Sequence, residues 1–574
     1  MDTTTIIVLC VVFGLIFVII LISIMNKKRI LKMLSEKYGR PSTRTYDQRD
    51  FTYISQLFNL FPVKDKETID DITWNDLQMP ILYKQMNHSV SHIGDEYLYR
   101  HIRSQQYNQL DIFEKHIRYF DSQPEQRLKL QYAFYKINPE TRVPRGRLMQ
   151  SINQSEGDNY LAHLKDTNLF PKISIVPSIV IIILAVMSCL SNLFLNPDDG
   201  IGIMAVTFVF MGSFIYFISF LRKTADFLRT LRIFTSSVSA SEHIALLDPN
   251  IFDSELKELI PAVKKFKKKS KLMRNLVNIC MMQSRSSTLI SIVTVFFGLY
   301  GFVYQWVVKI IKNNTKEAMI FYESIGYIEL CIGMSSYRRT LKYFCSPEFS
   351  LDTQIKFDEL YHPLLKKPVT NSKSIDQKFI ITGANASGKS TFAKTLAINA
   401  ITSQTLNICY AKEFSLKPAC VYTSMNLEDD IEAGDSFYMA EIKRLKGFMD
   451  SLNNDSYKMF FADEILKGTN STERIAAASA ILKRFAKSNC FFCLTTHDVE
   501  LTSILQHYYS NYHFKEITTE DEIYYDYKLY DGITTGSNAI ALLKFLRYDS
   551  SVVDEASKLA QHFVKVSEWE ILMP

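Results

Sequence analysis

The stretch Phe379–Leu396, FIITGANASGKSTFAKTL, constrains the fold more than any other part of the chain. Gly383, Gly388, Lys389 and Ser390 satisfy the spacing G-x-x-x-x-G-K-[ST]. The apolar run Phe379–Ile381 before the loop predicts a buried strand, and Ser390–Ala400 after it predicts a helix. A loop that cradles phosphate needs that strand–loop–helix context. Glycines let the backbone wrap closely around phosphates, while loop N–H groups and the helix N-terminus present positive potential. On this reading Lys389 reaches the β- and γ-phosphates of a nucleotide and Ser390 holds Mg2+.

Two more strand ends carry chemistry that fits such a loop. The apolar run Lys458–Ala462 (KMFFA) predicts a strand that ends in Asp463-Glu464. A strand-end aspartate supports Mg2+, and an adjacent glutamate orients and deprotonates the attacking water. A third run, Cys490–Leu494, leads into Thr495-Thr496-His497. A histidine at the C-terminal edge of a parallel sheet lies where a γ-phosphate sits, and can sense it or position water. Between these motifs, Gly434–Glu441 (GDSFYMAE) places Ser436 at a possible helix start. Two readings stay open there: an ordinary N-cap serine, or a helix N-terminus that takes a phosphate from a neighbouring subunit.

The 574 residues suggest roughly two to four domains. Hydrophobic content is 47%, charged content 22% and net charge +6, which is globular in kind and does not by itself indicate nucleic acid. The apolar residues are unevenly spread. Thr5–Met25, Ile173–Leu195 and Ile201–Leu221 are each long enough to predict a membrane span, the last two joined by NPDDG into a hairpin. Basic residues at 27–29, 172 and 222–223 all fall on one side, which predicts cytoplasmic segments 26–170 and 222–574. No basic residues precede the first run, so it reads as an uncleaved anchor rather than a signal peptide. A multi-pass protein of the cell (inner) membrane, with the lipid bilayer as a partner, is the resulting expectation. Leu289–Val308 reads as a buried or interfacial helix, because a fourth span would put the phosphate loop on the side without ATP. The nine cysteines show no framework spacing and suit a reducing cytosol. Cys490 and Cys493 lie in a strand on opposite faces, so they predict neither a redox pair nor a zinc knuckle.

Residues 76–165 and 224–360 read as helices, the first block broken at Gly94 and ended by the turn formers Asn138–Gly146. The basic run KKFKKKSK, Lys264–Lys271, reads as a solvated helix end, a contact to anionic lipid headgroups, or a contact to nucleic-acid phosphate such as DNA. From His362 onward strands and helices alternate, as in a parallel-sheet nucleotide-binding domain.

These motifs together resemble the MutS family. GANASGKST resembles the MutS phosphate loop, Asn385 included. Val421–Glu441 is similar to the stretch with paired acids and a G-x-S-x-F-x-x-E signature, Phe461–Arg474 to the DEI-x-x-GT-S-T segment, and Leu494–Thr502 to the ATH-x-x-EL-T segment. Tyr361–Leu364 resembles the His-Pro element that opens the ATPase domain, and Tyr527–Asn538 the terminal Y-x-L-x-x-G…S strand and helix. Met79–Arg103 and Ile325–Arg339 resemble, more weakly, two parts of the MutS core and lever. The resemblance implies ATP contacts from Gly383, Asn385, Ser387, Gly388, Lys389, Ser390 and Thr391 of one subunit and Ser436 of the other. It places Ser390 and Asp463 at Mg2+, and gives Glu464, His497 and Lys389 the catalytic roles. Asp435 and Leu466 depart from the family's usual residues without removing a catalytic group. The Phe-x-Glu wedge of a mismatch-reading domain has no counterpart: the triplets at 321–323, 357–359 and 514–516 lie inside other predicted elements.

The expected fold is an α/β P-loop NTPase domain of the ABC/MutS type. An all-α lever-like domain interrupted by a transmembrane helical hairpin precedes it, with an N-terminal transmembrane helix. The expected boundaries are 1–29 for the anchor, 30–165 and 224–360 for the two helical halves, 166–223 for the hairpin and 361–574 for the ATPase domain. The expected function is ATP binding and hydrolysis in a head-to-tail homodimer, coupled to a conformational change, with DNA binding left open. The rivals are a membrane-tethered DNA sensor, an ATP-binding-cassette transporter and an ATP-gated scaffold.

Overall fold

In a parallel sheet the central strands are buried on both faces and read as continuous apolar runs. The runs around the phosphate loop form such a sheet. The computed structural model describes residues 3–571 apart from 47, 63–67, 105–108, 138–159, 167, 169–171, 195–200, 281–299, 385, 426–436, 453–455, 519–522, 534–538 and 567. The chain forms two compact units. The first comprises 1–64, 84–100 and 111–340; the second comprises 65–83, 101–110 and 341–574.

The second unit holds two sheets. The strands are β1 (Glu348–Phe349), β2 (Ile355–Leu360), β3 (Asn371–Ile375), β4 (Lys378–Thr382), β5 (Glu413–Leu416), β6 (Cys420–Ser424), β7 (Lys458–Asp463), β8 (Cys490–Thr495), β9 (Ser510–Thr518) and β10 (Ile523–Asp531). The smaller sheet has the order β1-β5-β2-β3, and the larger has the order β10-β9-β4-β8-β7-β6. In the larger sheet β9, β4, β8, β7 and β6 run parallel, and only β10 is antiparallel to its neighbour. The C-terminal ends of β4, β7 and β8 therefore meet at one edge, where ligands bind open α/β sheets. All six residues of β8 are buried, as is every residue of β7 except Asp463. Phe460 and Phe492 pack with Phe448 and Phe485 of the helices Phe437–Ser451 and Ser471–Ala486, with ring centroids 4.8 Å apart for Phe448–Phe460 and 4.7 Å for Phe485–Phe492.

The early segment of this unit is tied to β6 by polar groups. Asp70 caps the short helix Asp71–Asp76, accepting from the Thr73 N–H at 2.7 Å. Asp76 is 2% exposed and accepts from Thr423 Oγ1 at 2.6 Å and from the Met425 N–H at 2.9 Å. Arg444 donates to both carboxylate oxygens of Asp70, at 2.7 and 3.1 Å, and to the Thr423 carbonyl at 2.8 Å.

The first unit is helical. The apolar stretches around 5–25, 173–195 and 201–221 lie in the helices Thr3–Lys37, Val176–Phe194 and Ile201–Ile244. Among the described residues, no helix is long and apolar enough to cross a membrane. That finding overturns the N-terminal transmembrane helix, the transmembrane hairpin and the multi-pass inner-membrane location. What stands is a mixed α/β part with two sheets and a helical N-terminal part. Part of the apolar surface goes into packing between helices. Ala185, Phe217 and Phe220 are buried, and Phe220 meets Tyr304 of the helix Tyr300–Lys312 edge-on at 5.9 Å. The first and third helices also run on without a break, for 35 and 44 residues, into charged and polar sequence. Other large apolar side chains on these helices, among them Phe17, Met187, Phe208 and Ile215, are exposed. The connector NPDDG and the first part of Leu289–Val308 lie outside the described residues.

A buried carboxylate helps join the two stretches that resemble MutS core segments. Ser91 precedes the helix His92–Arg103, and its hydroxyl accepts from the Gly94 N–H at 3.2 Å, as an N-cap does. A capping box would place Glu or Gln at the Gly94 position, reaching back to the cap N–H. Here Glu329, from the middle of the helix Thr315–Arg338, supplies that carboxylate instead. It accepts from the Ser91 N–H at 2.6 Å, and also from the Val90 N–H and the Ser91 hydroxyl. A Cβ at position 94 would stand 2.6 Å from the Glu329 carboxylate, so only glycine leaves room for it.

Glu329 is 2% exposed, so its removal strands buried donors at a helix N-terminus. The Glu329→Ala chain should lose roughly 2–4 kcal/mol of stability in denaturant unfolding. Glu329→Gln, which keeps an acceptor, should lose clearly less. Equal losses for the two variants would contradict the capping role.

Candidate functional site

The phosphate loop joins β4 to the helix Lys389–Leu406 through backbone that favours glycine. Gly383 and Gly388 have φ of 147° and 105°, in the left-handed region. A Cβ on Gly383 would stand 2.9 Å from both the Phe514 carbonyl and Ser387 Oγ, so a larger residue is excluded by space as well as by dihedral. Ala386 also has a positive φ, 63°. The Lys389 side chain folds back over this loop and donates to the Gly383 and Ala384 carbonyls at 2.9 and 3.0 Å. Burial lowers the pKa of its ammonium from the ordinary lysine value, and the nearby Asp463 and Glu464 carboxylates oppose that shift.

The other strand ends meet this loop. Ser390 Oγ donates to Asp463 Oδ2 at 2.7 Å, and the Thr495 hydroxyl donates to the other carboxylate oxygen. His497 Nε2 lies 3.2 Å from Lys389 Nζ and 3.0 Å from Glu464 Oε1. Lys467 reaches the second Glu464 oxygen at 3.2 Å. Glu464 follows β7 with a φ of 53°, and its N–H donates to the Thr495 carbonyl at 2.8 Å. The hydrogen bond to His497 is the main reason the Glu464 carboxyl is held down to about 2, with Lys467 adding to it against the effect of burial. Glu464 is therefore an anion at neutral pH.

The residues present fit a nucleotide phosphate and Mg2+. The Ser387 hydroxyl is buried beside the loop with no hydrogen-bond partner, as a group meant for a ligand oxygen would be. Ser390 and Asp463 offer hard oxygen ligands side by side, the set magnesium prefers alongside phosphate and water. Among the described residues no group of three His, Cys, Asp or Glu could hold a metal by itself.

Of the residues singled out from sequence, Gly383, Ser387, Gly388, Lys389, Ser390, Asp463, Glu464 and His497 gather at one sheet edge. Thr391 lies in the first turn of the helix Lys389–Leu406. Asn385 and Ser436 lie outside the described residues. The basic run Lys264–Lys271 lies in the helix Asp253–Cys280, where Lys265 pairs with Glu317. The side chains at 267–271 lie outside the described residues. Cys490 and Cys493 are buried, and burial raises both thiol pKa values, that of Cys490 to about 11.

Three residues of the site escaped the sequence reading. Thr495 holds Asp463 and Lys467 holds Glu464. Glu441, 4% exposed, accepts from the Leu466 N–H at 2.5 Å and the Lys467 N–H at 3.1 Å. It thereby ties the helix Phe437–Ser451 to the turn that carries Glu464. Only Glu441 left a signal in sequence, as the last letter of the G-x-S-x-F-x-x-E pattern.

The Glu464 interactions predict a pH dependence. Its folded pKa lies below the ordinary 4.5, so its stabilising contribution is complete above 4.5 and is lost as pH falls toward about 2. The difference in melting temperature between wild type and Glu464→Gln should be constant at pH 5–7 and shrink below pH 4.5. A difference that grows on acidification would contradict the geometry.

The part of the chain that carries these residues is similar to known proteins. Residues 379–564 match the family model described as MutS domain V. The MutS protein homolog 4 of Mus musculus is 29% identical over 259 residues, covering 42% of this chain and 27% of the relative. The human MutS protein homolog 4 is 28% identical over the same length, with the same coverage. The chain thus aligns with about a quarter (27%) of the length of these relatives. Over its C-terminal part, this chain is similar to the MutS family, whose members are ATPases.

Proposed function

We propose that this chain binds ATP with Mg2+ and hydrolyses it at the ends of β4, β7 and β8, working as a head-to-tail dimer. The observation that carries the reading is the convergence of Lys389, Ser390, Asp463, Glu464 and His497 at one sheet edge. Lys389 binds the β- and γ-phosphates and gives up its loop carbonyls to do so. Ser390 and Asp463 would hold Mg2+, which would neutralise developing phosphate charge. Glu464 takes a proton from water as the water oxygen attacks the γ-phosphorus and the bond to the β-phosphate oxygen breaks. His497, 3.0 Å from Glu464, would leave it for the γ-phosphate and so free the base. Gly383, Asn385, Ser387, Gly388 and Thr391 complete the phosphate cradle, and Ser436 of the second subunit closes it. The helix Phe437–Ser451 begins directly after Ser436, and its Glu441 holds the turn that bears Glu464. A nucleotide bridging two subunits would therefore be felt at the catalytic base.

The transporter reading loses support, because no helix among the described residues can cross a membrane. An ATP-gated scaffold differs from the ATPase only in turnover. Glu464→Gln should still bind ATP and, with ATP, sediment as a dimer, while its turnover falls by about a hundredfold or more. Hydrolysis at the wild-type rate would remove Glu464 from the role of base. An ATP-loaded Glu464→Gln chain that stays monomeric would remove the dimer.

A further inference from the structure

Two cysteines outside the site face each other across an isolated antiparallel bridge. Cys345 and Cys409 exchange both backbone hydrogen bonds: the Cys345 N–H donates to the Cys409 carbonyl at 3.0 Å, and the Cys409 N–H to the Cys345 carbonyl at 2.9 Å. A hydrogen-bonded antiparallel pair sets its Cα atoms about 5.5 Å apart. Disulfides span Cα separations of about 4.4–6.8 Å, most often near that value. Side chains of such a pair leave the same face of the ladder. Neither cysteine is in a disulfide; Cys345 is half-buried and Cys409 buried.

The backbone around Cys409 is pinned, which keeps the two cysteines opposite each other. The Tyr410 N–H donates to Asn399 Oδ1 at 2.6 Å, and the Tyr361 N–H donates to the Tyr410 carbonyl at 2.9 Å. Asn407, which caps the helix Lys389–Leu406 with a φ of 54°, donates from its amide to Ser346 Oγ at 3.3 Å. The Cys409 thiol donates to the Cys345 sulfur and lowers the Cys345 pKa from the ordinary thiol value, against the opposing effect of burial. A partly exposed, more acidic thiol beside a buried second thiol is the arrangement of an oxidant-sensing pair.

We propose that Cys345 and Cys409 form a reversible intramolecular disulfide when the chain meets a peroxide, making this pair an oxidative modification site of the ATPase unit. The Cys345 thiolate attacks one oxygen of hydrogen peroxide. The O–O bond breaks, and the departing hydroxide takes up the thiol proton as water, leaving a sulfenic acid on Cys345. The Cys409 sulfur attacks that sulfur, the S–O bond breaks, and a second water leaves with the Cys409 proton. The two sulfurs lose two electrons in total, and one peroxide becomes two waters. A cellular thiol reverses the bond by exchange. The bond fastens the C-terminal end of the helix that starts at the phosphate loop to the segment that leads into β1.

The test uses the full chain, exposed to hydrogen peroxide, alkylated, digested with trypsin and read by mass spectrometry. Cleavage at lysine and arginine leaves peptides 343–356 and 395–412, each with one cysteine. The expected product is these two peptides joined, two hydrogen masses lighter than their sum and separated again by dithiothreitol. The joined species should be absent from Cys345→Ser and from Cys409→Ser. Recovery of both wild-type peptides as alkylated thiols after peroxide would overturn the proposal. So would conversion of Cys345 to sulfinic or sulfonic acid while Cys409 stays a thiol.

Discussion

A buried ammonium sets the geometry of the candidate site. Lys389 is 5% exposed, and its charge is satisfied by two loop carbonyls and approached by His497. A buried cation without such partners would lose its proton or reject the conformation. The carbonyls of Gly383 and Ala384 can turn inward because the loop takes positive φ values at Gly383, Ala386 and Gly388. The loop in turn sits at the end of β4, whose parallel neighbours β8 and β9 fix it in the sheet. Sheet, glycines and lysine thus form one chain of dependence, and the carboxylates at the end of β7 are placed by the same sheet.

The helical unit is organised by a different polar device. Glu329 caps a helix that lies far away in sequence, and Gly94 leaves space for it. The carboxylate satisfies the helix end and also specifies which helix packs there, since a shift of one turn would leave it buried and unpaired. In the second unit Asp76 and Arg444 do comparable work on β6. In both units the long-range joints rely on carboxylates that accept from backbone N–H groups.

The local signals were legible in sequence. Phe379–Ile381, Lys458–Ala462 and Cys490–Leu494 are short apolar runs that stop at functional letters, and each is a strand that ends one residue beyond the run. Fixed spacing of Gly, Lys and Ser specifies a loop by itself. What was not legible depends on partners remote in the chain. Glu329 and Ser91 are 238 positions apart, and Thr423 and Asp76 are 347 apart, so no window contains both. Thr495 and Lys467 show their roles only once the sheet brings them to Asp463 and Glu464. The apolar stretches were misjudged for a related reason. Hydropathy along a window measures how apolar a run is, but not whether Phe217 or Phe220 faces another helix.

The central claim is that the gathered residues make a working nucleotide site. The most direct measurement is steady-state phosphate release from ATP by the purified full chain, with and without Mg2+, beside a Lys389→Ala chain. The account predicts Mg2+-dependent release by the wild type that is lost in Lys389→Ala along with ATP binding. Release of phosphate at the same rate by both chains, or ATP binding that does not need Lys389, would contradict it.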